Sequence, residues 1–231
     1  MRKIALIGYG KMGRVLDRLA PSLGLSVVAR VDPRNGPDDF DCLGLEQAEV
    51  CIDFTRPDVV LDNAASLAKR GKNLVVGTTG FDQAALRRIV EEAEVGALYA
   101  PNFSIGVYLF HRMVQEAARL MAGWADYDVA LAEQHHRHKR DRPSGTALSL
   151  QHALQSELGC GDLEISSLRC GAIPGTHTVT FDSSCDTITL AHQARSREGF
   201  ALGALRAAQW MAGRQGFYTL DDMMRSPLLC R

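Results

Sequence analysis

Ile4-Ala5-Leu6-Ile7 runs straight into Gly8-Tyr9-Gly10-Lys11-Met12-Gly13, and the residues from Met12 to Leu19 continue with helical apolar spacing. Strand, glycine-rich turn and helix in that order open a dinucleotide-binding βαβ unit, whereas a G-x-G-x-x-G pattern without that context says little. Gly8 suits the tight turn, Gly10 lets the backbone approach a diphosphate, and Gly13 permits close packing of helix on strand. The diphosphate sits at the helix N-terminus, where unpaired N–H groups and the helix dipole favour negative charge. Gly8, Tyr9, Gly10, Lys11, Met12 and Gly13 are therefore expected to bind a cofactor. Asp32 follows about 20 residues on, where a carboxylate accepts the ribose hydroxyls of NAD. Arg34 suits the 2′-phosphate of NADP, so the expected cofactor is NAD or NADP, with NADH favoured by Asp32 and NADPH kept open by Arg34. The competing reading is a glycine turn in an unrelated α/β protein with Asp32 as a solvated loop residue.

Up to residue 100 the chain alternates short apolar runs with helical patterns, as repeated strand-helix-strand units do in a parallel sheet. Strands are expected at Lys3–Ile7, Leu25–Val31, Val50–Asp53, Leu74–Val76 and Ala97–Ala100, with helices over 12–22, 57–70 and 82–94. Pro57 suits the first turn of the second helix, and residues 33–46, rich in Pro, Gly and Asp, read as a loop in place of a crossover helix. Gly77-Thr78-Thr79 and Ala100-Pro101-Asn102-Phe103 follow the fourth and fifth strands, where ligands collect at C-terminal strand ends. After Asn102 a helix over Ile105–Met121, a strand over Asp128–Glu133 and a helix over Ser144–Leu158 are expected. Strands at Leu163–Arg169, His177–Phe181 and Thr187–Ala194 then alternate as in an open sheet with one wet face, and an Ala-rich helix closes the pattern over Phe200–Gly213. The fold class is α/β: an N-terminal Rossmann-like parallel-sheet domain with a second α+β domain carrying an open mixed sheet. The boundaries are a dinucleotide-binding domain over 1–104, completed by 197–231, and a substrate-binding and oligomerisation domain over 105–196.

Composition narrows the partners. A net charge of −1 offers no electrostatic case for nucleic acid, and no apolar run approaches the roughly 20 residues that cross a bilayer. Ile4–Ile7 is too short for a signal-peptide core, so a cytoplasmic protein without nucleic-acid or membrane partners is expected. The six cysteines, at 42, 51, 160, 170, 185 and 230, are scattered without a C-x-x-C pair and are expected as free thiols.

The densest chemistry lies in E-Q-H-H-R-H-K-R-D-R-P-S-G-T-A, Glu133 to Ala147. A zinc site is one reading, but histidines at 135, 136 and 138 after a strand do not share a face, and no metal-ligand spacing such as H-E-x-x-H appears; no metal is expected. A solvated basic loop is another, which leaves the P-S-G-T ending unexplained. The third is an anion-binding catalytic site. Ser144, Gly145 and Thr146 open a helix whose N–H groups and hydroxyls can cradle a carboxylate. Lys139 and a histidine can neutralise a second carboxylate or donate a proton, since histidine titrates nearest neutrality.

With these residues the chain resembles the dihydrodipicolinate reductases. The matching segments are Gly8 to Gly13, Asp53-Phe54-Thr55-Arg56-Pro57, Gly77-Thr78-Thr79-Gly80-Phe81, Ala100-Pro101-Asn102-Phe103-Ser104 and Glu133 to Ala147, then Gly175-Thr176-His177 and His192 through Ser196-Arg197 to Phe200-Ala201. The resemblance implies NAD(P)H-dependent reduction of 4-hydroxy-tetrahydrodipicolinate, a small cyclic dicarboxylate, to tetrahydrodipicolinate in lysine and diaminopimelate biosynthesis. It implies His135 as proton donor, Lys139 as a second acid, and His136, Gly145 and Thr146 as carboxylate ligands beside Ser144. It further implies cofactor contacts from Gly77, Thr78, Thr79, Ala100, Pro101, Asn102, Phe103 and Arg197, and a homotetramer built through the second domain's sheet. The chain departs from the family pattern in a glycine loop one residue shorter, the short 33–46 segment, and Tyr108 where asparagine is usual. Rival readings are an aspartate- or homoserine-type dehydrogenase, which leaves E-Q-H-H-R-H-K unexplained, and a non-catalytic NAD(H)-sensing protein.

Overall fold

Where the sequence is apolar without alternation, the chain forms strands buried on both faces, as parallel sheets require. In the computed structural model, which describes residues 1–226, the first elements are β1 (Arg2–Ile7), α1 (Lys11–Leu19), β2 (Leu25–Val31), α2 (Leu43–Gln47), β3 (Val50–Asp53), α3 (Val60–Lys69), β4 (Asn73–Val76), α4 (Gln83–Glu92) and β5 (Gly96–Tyr99). There follow α5 (Ile105–Met121), β6 (Asp128–His135), α6 (Gly145–Leu158), β7 (Ile165–Arg169), β8 (Thr176–Asp182), β9 (Thr187–Gln193), α7 (Glu198–Met211), β10 (Gly216–Thr219) and α8 (Leu220–Arg225). Two compact units result: Met1–Phe103 with the segment that begins at Phe200, and Ser104–Gly199.

The first unit holds an all-parallel sheet in the order β10-β5-β4-β3-β1-β2. Its core includes Ala5, Ile7, Ala29, Cys51, Leu67, Leu74, Val76 and Leu86. Several expected boundaries shift for local reasons. The first helix ends at Leu19 in a 3-10 turn over Ala20–Leu23 that contains Pro21 and is closed by Gly24 at φ 67°. Pro57 opens a turn rather than the helix proper, because Val59 leaves helical geometry at φ −126° and α3 starts only at Val60. The 33–46 segment is not wholly a loop: it ends in α2, pinned by the fully buried Leu45.

The second unit holds a mixed sheet in the order β7-β6-β8-β9, with β6 and β7 parallel and the other pairs antiparallel. Helices α5 and α6 pack together, and Phe110, Val114, Leu150 and Leu154 from them share a core with Leu131, Val179 and Phe181 of the sheet. Strand β6 runs past Glu133 to His135 because β8 pairs with it as far as Gln134 and β7 as far as His135. Strand β7 begins at Ile165 rather than Leu163, where pairing with Leu131 starts. Among the described residues Cys42, Cys51, Cys160, Cys170 and Cys185 are free thiols; Cys230 lies outside them. No helix of the described residues is long and apolar enough to cross a membrane.

Candidate active site

Strand register converts an apolar core into a polar site within one step. Side chains two residues apart share a sheet face, so the covered face of the second sheet reads as successive rows across its strands. One row is Ile165, Leu131, Val179 and Leu190; the next is Ser167, Glu133, His177 and His192. One step further, Arg169 pairs with His135. Glu133 is fully buried, which demands compensation for its charge. Its Oε1 accepts hydrogen bonds from the Ser144 N–H at 3.1 Å, Ser167 Oγ at 2.9 Å and Arg169 Nη2 at 2.7 Å. Burial works to raise its pKa, but these donors outweigh it and hold the carboxyl down at about 2.

The free oxygen of that carboxylate faces two imidazoles. Glu133 Oε2 lies 3.2 Å from His135 Nδ1 and 3.8 Å from His177 Nε2. The rings of His135 and His177 meet edge to face at 5.2 Å. Burial lowers the pKa of both; for His135 the Glu133 charge opposes the shift, while His177 is held down at about 4. Gly175 lies against the other side of His135: a Cβ there would stand 3.0 Å from Nε2. Glycine therefore places no side chain over the second ring nitrogen.

The remaining residues of the basic segment lie nearer the surface. His136 is half-buried, Arg137 and His138 are exposed, and the His136 and His138 rings are 6.4 Å apart. Lys139 Nζ donates to Asp141 Oδ2 at 2.8 Å. Ser144 is buried as the N-cap of α6: its hydroxyl accepts from the Ala147 N–H and contacts His177 Nε2 at 3.2 Å. The side chain of Ser144 is thus committed to holding the helix against the sheet. Gly145 and Thr146 remain at the accessible first turn. The three histidines adjacent in sequence do not form one ligand set. Among the described residues, the group whose ligand atoms lie within 4.8 Å of one another is Glu133, His135 and His177, a trio already braced by Ser144 and Arg169.

In the first unit the expected cofactor residues gather along the C-terminal edge of the parallel sheet, after β1, β2, β4 and β5. Gly8 adopts φ 91°, and a Cβ on Gly13 would stand 2.3 Å from the Gly8 carbonyl oxygen, so only glycine closes this turn onto α1. A Cβ on Gly10 would meet nothing within 4 Å. The α1 N-terminus has no side-chain cap and no acidic residue in its first turn, whereas α4, α5, α6 and α8 are capped by Asp82, Ser104, Ser144 and Thr219. Open space beside uncapped N–H groups fits a diphosphate. Asp32 accepts from the Tyr9 N–H at 2.8 Å and from the N–H groups of Arg34 and Asn35. Burial pushes its pKa up, but these bonds prevail and lower it. Tyr9 is tied by its hydroxyl to Asp17, which also pairs with Arg30. Thr78 is buried, and its hydroxyl donates to Asp53 Oδ1. Gly77 lies against the Phe54 ring, Thr79 and Pro101 are exposed, Asn102 is half-buried, and Ala100 and Phe103 are buried. Arg197 stands exposed in the second unit, ahead of α7.

Glu133, Ser167, Arg169 and His177 were not singled out as site residues by sequence reasoning. A carboxylate two residues before a histidine on an alternating strand was the available signal; the partners come from other strands. Likewise Asp53, which gathers Thr55, Asn63 and Thr78, shows its role only through three chain segments.

Known proteins match the chain over both units. Residues 2–103 match the family model "Dihydrodipicolinate reductase, N-terminus", and residues 106–224 match "Dihydrodipicolinate reductase, C-terminus". The chain is 37% identical to the 4-hydroxy-tetrahydrodipicolinate reductase of Christiangramia forsetii, covering 96% of this chain and 97% of the relative. It is also 37% identical to that of Archaeoglobus fulgidus, over 96% and 99%. In structure it is similar to a dipicolinate-bound dihydrodipicolinate reductase from Paenisporosarcina sp. TG-14, with TM-score 0.78, 23% identity, and coverage of 95% and 97%. A glycine loop shaped for a dinucleotide and a buried carboxylate-histidine row thus occur together in a chain that belongs to the dihydrodipicolinate reductase family.

Proposed function

We propose that the protein is a 4-hydroxy-tetrahydrodipicolinate reductase that uses NADH or NADPH to form tetrahydrodipicolinate, with loss of water from the 4-hydroxy precursor. The observation that carries the reading is His135, backed by Glu133 at Nδ1 and with no side chain set over Nε2 at Gly175. When bound, the cofactor supplies hydride to C4 of the unsaturated ring. His135 in its protonated form gives the Nε2 proton to the carbanion-like ring that results. Lys139, and Arg137 more distantly, contribute positive field. The N–H groups of Gly145 and Thr146 at the α6 N-terminus, with His136, receive carboxylates; Ser144 sets that helix start in place.

The α1 N-terminus and Gly8 to Gly13 hold the diphosphate, and Asp32 receives the adenosine ribose, which supports NADH. Arg30 is engaged with Asp17, so Arg34, which is exposed, is the cation offered to a 2′-phosphate. The backbone of Gly77 to Thr79 and of Ala100 to Phe103, with Arg197, completes the cofactor contacts. The unit of Met1–Phe103 with the segment that begins at Phe200 serves as the cofactor domain, and Ser104–Gly199, which takes in Arg197 expected on the cofactor side, as the substrate and assembly domain. The outward face of the second sheet presents small residues, including Ala130, Ala132, Thr180, Thr189 and Ala191, that suit sheet packing in a homotetramer. A cytoplasmic location accords with free thiols and this substrate.

The test is consumption of NADH and of NADPH, in separate runs, with substrate generated in place from pyruvate and aspartate semialdehyde by the preceding synthase. Oxidation that depends on the synthase supports the reading and ranks the cofactors. Binding of both cofactors without oxidation refutes it.

A further inference from the structure

We propose that Glu133 is a positioning residue for His135: its Oε2 accepts a hydrogen bond from Nδ1–H, which fixes that tautomer and leaves Nε2 as the atom that gives and regains the proton. The inference rests on the reading of His135 as proton donor but adds an assignment of which nitrogen works and what selects it. Three hydrogen-bond donors converge on Oε1 of the carboxylate: the Ser144 N–H, Ser167 Oγ and Arg169 Nη2. Their convergence turns Oε2 toward His135, 3.2 Å from Nδ1. Both atoms are buried and neither has a hydrogen-bond partner in the structure, the 3.2 Å contact between them falling short of one in geometry. A buried pair of this kind gains most by sharing a proton across the contact.

His177, the other imidazole facing Oε2, is farther at 3.8 Å and has Ser144 Oγ at 3.2 Å from its Nε2. Its low pKa keeps it neutral, so it does not neutralise the carboxylate. On the far side of the ring, a Cβ at Gly175 would lie 3.0 Å from Nε2, so glycine at this position keeps a side chain off the nitrogen opposite Glu133. The cycle balances: the imidazolium loses its Nε2 proton to carbon, keeps Nδ1–H on Glu133 throughout, and regains the Nε2 proton from solvent.

The first experiment is 15N NMR of the full-length protein labelled at histidine, with the His135 signals assigned by their loss in His135→Gln. The neutral ring is expected to carry its proton on Nδ1, and a proton on Nε2 would overturn the proposal. This measurement needs no Glu133 variant to fold. The second is Glu133→Gln, whose amide can donate to Nδ1 and reverse the tautomer. It should lower kcat roughly 10–100-fold while leaving the substrate KM within about threefold. The charged and titratable groups around His135 are Glu133, His177, Arg169, Lys139 and Asp141; only the first changes. Loss of its negative charge disfavours the imidazolium, so the decline of kcat with rising pH should move to lower pH. A purely structural role would lower stability without moving that limb, and an unmoved limb with wild-type kcat overturns the proposal. Full turnover in His135→Gln would instead remove the proton-donor reading itself, a result independent of the tautomer.

Discussion

At the residue scale, His135 and Lys139 are each open to a direct test. His135→Gln and Lys139→Ala should each reduce turnover by about 10²–10³-fold with near-normal cofactor affinity, as loss of proton transfer or of field stabilisation predicts. Steady-state kinetics with cofactor titration checks this, and unchanged turnover removes the residue from the mechanism. His177 makes a different prediction, about stability. Its folded pKa of about 4 lies below the ordinary 6.5, so between those values the unfolded chain binds a proton that the native protein refuses. Stability from His177 is complete above about pH 6.5 and is lost as pH falls toward 4. Glu133, at about 2 against 4.5, extends the loss: its contribution is present above about pH 4.5 and disappears as pH falls toward 2. Urea melts at stepped pH should show both windows, on the order of a few kcal/mol in all. A melt series flat from pH 6.5 to 4 would refute the His177 assignment.

At the element scale, the β1–α1 turn separates folding from binding. Gly13→Ala places a methyl 2.3 Å from a backbone oxygen and should disrupt the turn, lowering both Tm and cofactor affinity. Gly10→Ala meets open space in the free protein; its Tm should stay within about 2 °C, while cofactor affinity drops roughly tenfold or more because the diphosphate approaches that backbone. Thermal melts with and without NADH distinguish the two, and a Gly10→Ala protein with wild-type affinity would place the diphosphate elsewhere. The same scale explains what sequence reading missed. The strand β10 is four residues long, Gly-Phe-Tyr-Thr, after a glycine turn, and only parallel pairing with β5 makes it a strand. Helix α8 had a local signal in the capping box of Thr219 and Asp222.

At the scale of the whole molecule, the proposed assembly through the second sheet's open face predicts that Ala191→Arg, on an exposed β9 position, yields a smaller species than the wild-type protein without unfolding. Light scattering after size exclusion reports the mass; a wild-type monomer would refute assembly through that face. What the sequence determined by itself was everything local: the strand-turn-helix of the cofactor loop, the alternation of β8 and β9, and the helix start at Ser144. Each follows from periodicity, glycine sterics or capping, which act within a few residues. The histidine segment was legible as reactive for the same reason. Only the tertiary structure decided which histidine carries a partner. Glu133 meets Ser167 and His177 because β7 and β8 pair with β6 in one register, and a shift of one residue would turn the carboxylate to the opposite face. That register is set by the apolar row of Ile165, Leu131, Val179 and Leu190 packing beneath α5 and α6. The site's chemistry is therefore placed by a core that lies two residues away from it.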